Sequence, residues 1–226
     1  MEQPVEGQPA SAVTRAAGRE SLADQAYAEV RDRIVSLRMP PRSAINEDSL
    51  MAELGVGRTP VREAIKRLAL ESLVDVYPRR GTFVSEIQIT DLAMISEVRE
   101  RLESYAAELA AQRLCPEDVP ELESLLERIE TGSTEATDAL MDLDASVHRF
   151  IYRTARNRYL RDTLERYFNL AARIWYLALD RVPSMQANVS QHRDLLIAIR
   201  DHDEGRARTV AANHVSEFAA AMREVL

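Results

Sequence analysis

The chain has a single cysteine, Cys115, so no internal disulfide can form. That suits a reducing compartment, and its position before Pro116 puts it in a loop with no assigned role. Nowhere in the 226 residues does an apolar run approach the roughly 18 needed to span a bilayer, and residues 1–20 lack the apolar core of a signal peptide. A cytoplasmic location without a membrane partner is therefore expected. Recognisable catalytic motifs are missing too, and an enzyme is not expected. Positive charge is in deficit: 29 Lys and Arg stand against 37 Asp and Glu, for a formal net charge of -8. Histidine is scarce, with only four in the chain.

What is present is unevenly distributed. The chain is 46% hydrophobic and 29% charged, the profile of a soluble globular protein long enough for one large or two small domains. Residues 21–85 carry ten Lys or Arg against nine Asp or Glu, and residues 86–226 carry 17 against 25. The acidic excess thus belongs to the second segment. Since attraction to phosphate is screened within about 8 Å at physiological salt, an acidic total is compatible with a local cationic surface that binds nucleic acid.

Residues 1–20 have little apolar content and no period, and read as a mobile tail. From Ser21, Leu22, Ala26, Val30, Ile34 and Leu37 recur at helical spacing until "MPPR" ends the helix. A short helix follows from Glu47 to Leu54, closed by Gly55. In "GVGRTPVREAIKRL", Thr59 reads as an N-cap with Pro60 at the first helical position. Val61, Ala64, Ile65 and Leu68 form the buried stripe, leaving Arg58, Thr59, Arg62 and Lys66 outward. After Leu73 the period becomes two: "VDVY" and "TFVS" flank "PRRG", a β-hairpin with Arg79 and Arg80 at its tip. Three helices and a hairpin in this order make a winged helix-turn-helix. Beyond it the pattern is helical throughout. A long helix from about Thr90 to Gln112 carries Leu92, Ile95, Val98, Leu102, Tyr105 and Leu109 on one face. Further helices are expected at about 117–130, 138–154, 158–180, 186–201 and 204–224. The fold class expected is mainly α: a winged helix-turn-helix over 21–85, then an antiparallel six-helix bundle over 86–226.

A charged helix is ordinarily a solvated face. Here the same helix has Arg at its N-terminal end, where a recognition helix enters the major groove, a short helix before it and an Arg-tipped hairpin after it. Arg79 and Arg80 are placed to reach backbone or minor groove. "LGVGRTPVREAIKRL" followed by "YPRRGTFV" resembles the DNA-binding domain of the GntR family of bacterial transcription regulators. The resemblance implies DNA contacts from Arg58, Thr59 and Arg62 on the helix and from Arg80 and Gly81 on the wing. The sequence departs from the family at Gly57, where serine is frequent, at Pro41, where glycine is frequent, and at Ser72, where glycine is common. Asp48 aligns where some members carry an arginine, so that contact is expected to be missing or different.

Three of the four histidines fall on apolar faces. Leu140, Asp144, Val147, His148 and Ile151 share one helical face; His192 goes with Leu195, Leu196 and Ile199, and His214 lies between Val210 and Phe218. Unpaired, such groups would be expensive to bury, so each needs a partner: a core hydrogen bond, one another, or a metal. Three imidazoles and one carboxylate on inward faces of three helices make a credible divalent set, with zinc, nickel and manganese all compatible. Asp144-x-x-x-His148, then His192 and His214, with "EVRERLE" and "TARNRYL", also resembles the FCD ligand-binding domain of the FadR-type branch of that family. The resemblance implies a bound divalent metal with positions open to a small carboxylate effector. It also implies an effector contact from Arg99, whose alternative is a surface ion pair with Glu103. His202 reads as solvated and Asn157 as an N-cap. The expected protein is a homodimeric regulator, in sense a repressor, that binds a palindromic double-stranded operator and responds to a small anionic metabolite.

Overall fold

Helix α1, Leu22–Val35, begins at a capping box: Ser21 Oγ accepts from the Asp24 backbone N–H, and Asp24 reaches back to Ser21. A computed structural model describes residues 21–131, 137–181 and 185–225, and the expected tail at 1–20 lies outside them. α1 stops one turn before "MPPR", and Leu37 lies beyond it in a left-handed conformation at φ 58°. Strand β1, Ala44–Ile45, follows, then α2, Glu47–Leu54, capped by Asn46 and closed by Gly55 at φ 64°. Helix α3 spans Arg58–Leu70 and its N-cap is Gly57 with no side-chain cap bond. Thr59 is therefore inside the first turn instead of capping it. Pro60 becomes the third helical residue, where the missing N–H is still one that the helix would leave unpaired.

β2, Val74–Tyr77, and β3, Gly81–Val84, pair antiparallel, with Tyr77 opposite Gly81 and Val74 opposite Val84. The two-residue β1 pairs with β3 on its other side, giving the order β1-β3-β2. Between β2 and β3 the chain turns through Pro78, Arg79 and Arg80, with Arg79 at φ 64° and Gly81 at φ 109°. Val30, Ile34, Ile45, Leu50, Val61, Leu68, Leu73 and Val84 close one hydrophobic core beneath these elements.

A second core belongs to six helices: α4 Asp91–Arg113, α5 Val119–Thr131, α6 Thr137–Thr154, α7 Arg158–Ala178, α8 Met185–Arg200 and α9 Glu204–Val225. Asn157 caps α7 by accepting from the Leu160 N–H. None of the described helices is long and apolar enough to cross a membrane. The inward face of α4 is rotated from the one its apolar period suggests. Leu92, Ile95 and Leu109 are buried, but Val98 and Tyr105 are exposed at 36% and 46%. Their places inside are taken by Ser96, Arg99, Glu103 and a run of alanines. Small residues let α9 approach α4 closely, so the helix turns its small face inward and not its largest apolar groups.

Helix α7 joins the two cores. Leu170 packs against both, and Arg173, fully buried, reaches from the bundle to the end of the sheet. Its Nη1 donates to Ser85 Oγ over 2.8 Å and its Nη2 to the Ser85 carbonyl over 2.7 Å. Among the described residues no carboxylate pairs with it, and burial pushes its pKa down to about 10. Two helical turns earlier, Arg166 donates to Ser72 Oγ over 2.9 Å. Ser72 stands at φ 65°, a conformation glycine adopts more readily, and its hydroxyl supplies an acceptor that glycine lacks. Hydrogen bonds from a charged donor contribute about 1.5–3 kcal/mol each. Arg173→Met is expected to lose about 2–3 kcal/mol of stability in urea unfolding; an unchanged midpoint would mean that apolar packing at Leu170 alone holds the joint.

Candidate functional site

The outward face of α3 carries Arg58, Thr59, Arg62 and Lys66, all exposed. Arg67, from the same cationic stretch, turns the other way: it pairs with Asp24 at 2.6 Å and lies 3.9 Å over the Tyr27 ring, bracing α3 on α1. The remaining arginines have local partners. Arg58 pairs with Asp48 at 2.9 Å and Arg62 with Glu47 at 2.8 Å, both carboxylates coming from the first turn of α2. Asp48 thus holds Arg58 by its tip. Exposed pairs of this kind contribute about 0–1 kcal/mol, whereas a bidentate contact to guanine contributes about 1–3 kcal/mol. The second exceeds the first, so the pairs orient the guanidinium groups without locking them away from a duplex. Arg79, Arg80 and Gly81 are exposed at the wing tip.

In the bundle, Asp144 and His148 on α6, His192 on α8 and His214 on α9 converge. All four are buried, and one ligand atom from each lies within 4.8 Å of the others. His192 Nε2 donates to Asp144 Oδ1 over 2.8 Å, and His148 Nε2 is 3.8 Å from the same oxygen. Burial holds the imidazoles of His192 and His214 below their ordinary pKa; for His214 the neighbouring imidazoles push the same way. Burial alone would raise the Asp144 pKa, but His148 and His192 outweigh it and keep the group a carboxylate.

Around this set a second ring fixes orientation. His148 Nδ1 faces Glu103 Oε2 at 3.1 Å and the Tyr152 hydroxyl at 3.3 Å, and His214 Nδ1 faces Gln191 Oε1 at 3.0 Å. With Nδ1–H donating to these oxygens, the Nε2 lone pair of each ring is left free. Asp144 Oδ2 and His192 Nδ1 are buried with no hydrogen-bond partner among the described residues. An anionic oxygen without a donor is among the most costly groups to leave buried, and a divalent cation would satisfy it. The donor set, one carboxylate with imidazole nitrogens, fits such an ion.

Arg99 is buried as well. Its Nε donates to Glu103 Oε1 over 2.6 Å, so the pair that the sequence offers as a surface ion pair exists, but inside the bundle. Arg99 also lies 5.6 Å from the Phe168 ring centre and 6.0 Å from that of Phe218. Phe168 in turn packs on His148 with centroids 4.9 Å apart. Arg99 and the histidine set are thus linked through Glu103 and through an aromatic wall. His202 is apart from the cluster: its Nδ1 meets the Ala111 carbonyl at 2.7 Å.

Comparison with known proteins bears on both halves. The model for bacterial regulatory proteins of the gntR family matches residues 22–84, and that for the FCD domain matches residues 94–217. The chain belongs to the GntR family, in its FCD-containing branch. As a GntR-family protein it is a DNA-binding transcription regulator and not an enzyme. Its relatives include an HTH-type transcriptional regulator in an unstable DNA locus of Streptomyces ambofaciens, 30% identical over 84% of this chain and 80% of that one. Another is the HTH-type transcriptional repressor RspR of Escherichia coli, 25% identical over 89% of each chain. The fold is shared with the solved structure of E. coli McbR/YncC, at a TM-score of 0.79 and 22% identity over 91% of this chain and 99% of that one.

The sequence reading of this GntR-family site missed Glu103, Gln191 and Phe168. Glu103 was legible only as the residue one turn after Arg99; nothing local says that both face inward. Removing one partner of a buried pair leaves the other charge uncompensated, at a cost of about 3–5 kcal/mol. Glu103→Ala is expected to destabilise the protein by that amount in chemical denaturation. Stability equal to that of the parent would mean that Arg99 has another counter-charge.

Proposed function

We propose that this GntR-family protein is a cytoplasmic, homodimeric repressor that reads a palindromic operator and senses a small carboxylate beside a divalent metal. Residues 21–85 would act as the reading head, with Arg58, Thr59, Arg62 and Lys66 on α3 and Arg79, Arg80 and Gly81 on the wing. Residues 86–226 would hold the sensor and the dimer face. The observation that carries the sensor reading is the convergence of Asp144, His148, His192 and His214 around a carboxylate oxygen with no donor. A zinc, nickel or manganese ion held by these four would supply a Lewis-acidic position for the effector carboxylate. The links of Arg99 to that set through Glu103 and Phe168 support its reading as a contact for the same anion.

Dimerisation is supported by Met94, Val98 and Tyr105, which line the outward side of α4 at helical spacing and are exposed. Two heads about one helical turn apart match a two-fold operator. Repression is supported by the name of RspR. Coupling of sensor to head is supported by α7, whose Phe168 touches His148 on one side while Arg166 and Arg173 grip Ser72 and Ser85 on the other. An effector can shift the heads only as far as it prefers one arrangement of that helix over another.

Two substitutions test the two halves separately. Arg62→Ala is expected to weaken specific operator binding by about 1–3 kcal/mol in a gel shift; undiminished binding removes Arg62 from the reader. The double variant His148→Ala, His192→Ala is expected to lose bound metal by elemental analysis while native mass spectrometry still finds a folded dimer. Full metal occupancy in that variant would refute the site.

A further inference from the structure

Asp144, His148, His192 and His214 are each at most 5% exposed, so an ion has to travel through the protein to reach them. Phe168 covers one side of the set, its ring packed on that of His148 with centroids 4.9 Å apart. The same Phe168 lines a cavity of about 560 Å³ that lies between α1 and the α6–α7 pair. Along α6 this cavity is floored by Met141, Ala145 and Arg149, a row at spacings of four. That row adjoins the one carrying Asp144 and His148, because consecutive residues are about a quarter of a turn apart around a helix. One aromatic ring and one helix surface therefore separate the cavity from the cluster. The opposite wall is Asp32, Val35 and Arg38, from α1 and the turn after it. Charge in the cavity is mostly neutralised in pairs: Asp32 with Arg31 at 2.8 Å, Arg149 with Glu165 at 3.6 Å. Asp138 and Asp142, both exposed on α6, line the cavity with no ion-pair partner among the described residues. Their negative field is felt there: burial, then Asp142 and Asp138, push the Tyr176 phenol up to about 12, against the opposing charge of Arg38.

Resting on the metal reading above, we propose that this cleft is the path by which a divalent ion enters and leaves the histidine set, with the Phe168 ring as its gate. Asp138 and Asp142 concentrate cations at the mouth, as charges of one sign do in a cleft with low-dielectric walls. Displacing the Phe168 ring then uncovers His148. A phenyl group has no donor or acceptor, so its movement costs packing and leaves no polar group unpaired. Since α1 forms one wall, the width of the passage depends on how the N-terminal domain is seated on the bundle. Exchange of the ion is thereby tied to the same joint that Arg166 and Arg173 hold from the other end of the contact.

A gate alters a barrier and not the states on either side of it, so it changes uptake and release by the same factor; a residue that supports the ligands changes their ratio instead. Full-length protein stripped of metal is mixed with zinc by stopped flow, and release is followed by transfer of the ion to a fluorescent chelator. Ala145→Trp, which fills the cavity, is expected to slow both rates by about tenfold at unchanged affinity. Asp138→Asn together with Asp142→Asn is expected to slow uptake by about threefold at low ionic strength and to match the parent at high salt. Parental rates in a folded Ala145→Trp protein, or an altered affinity in place of matched rates, overturn the passage and leave the metal reading intact. Should that variant fail to fold, the aspartate variant decides, and parental uptake at low ionic strength overturns it. If the parent protein binds no zinc, the metal reading falls and the passage with it.

Discussion

Glu103 lies out of water with Arg99 on one oxygen and His148 on the other, and its pKa is held below the usual carboxylate range because those two outweigh the effect of burial. A charge in that position dictates much of what surrounds it. Arg99 must face inward to neutralise it, which forces the α4 surface to turn its alanines toward α9 and its Val98 and Tyr105 toward solvent. His148 must present Nδ1 to the same carboxylate, which directs its other nitrogen toward Asp144. The position of the imidazole is thus set from α4, an element that contributes no ligand to the cluster. At an effective dielectric of about 20, charges a few ångströms apart still interact by several kcal/mol, enough to select one rotation of a helix over another.

The same reasoning explains why α7 is long and unbroken. It has to present aromatic groups to the bundle interior and cations to the reading head, and a helix does both because residues four apart share a side while those two apart do not. Phe168 and Trp175 meet His148 and Phe218; Arg166 and Arg173 meet Ser72 and Ser85. A rigid rod with two chemically different edges transmits a displacement at one edge to the other. Arg173 can serve there because its guanidinium forks onto both oxygens of a single serine, a geometry that a lysine does not reproduce.

Element types and most boundaries were legible from periodicity and turn residues. Glu47–Leu54 was read with its bounds, and each bundle helix within about two residues, because Gly55, Pro116 and Asn157 punctuate the pattern. β1 was not legible: Ala44 and Ile45 are too few to show a period, and they are a strand only because β3 offers a free edge. The start of α3 was misread because Thr-Pro imitates a cap that Gly57 provides without a side chain. The inward face of α4 was misread for a different reason. Apolar periodicity assumes that charges seek water, and Arg99 with Glu103 satisfies each other's charge instead. The histidine set was legible because polar groups on otherwise apolar faces demand an explanation; the oxygens that orient them were not, since Gln191 and Glu103 look like ordinary helix surface in one dimension.

Glu47 and Asp48 give the reading helix a property that arginines alone would lack. Each guanidinium on the exposed face already has an anion tethered beside it, covalently fixed at a constant local concentration. A duplex read by this face would have to displace that internal competitor before it gained a contact, so generic phosphate would offer little advantage over the carboxylate in place. A correctly shaped base edge offers more, through two parallel hydrogen bonds. On the proposed reading of α3, acidic residues beside the cationic face would act as a filter, suppressing adhesion to random sequence more than engagement of the proper one.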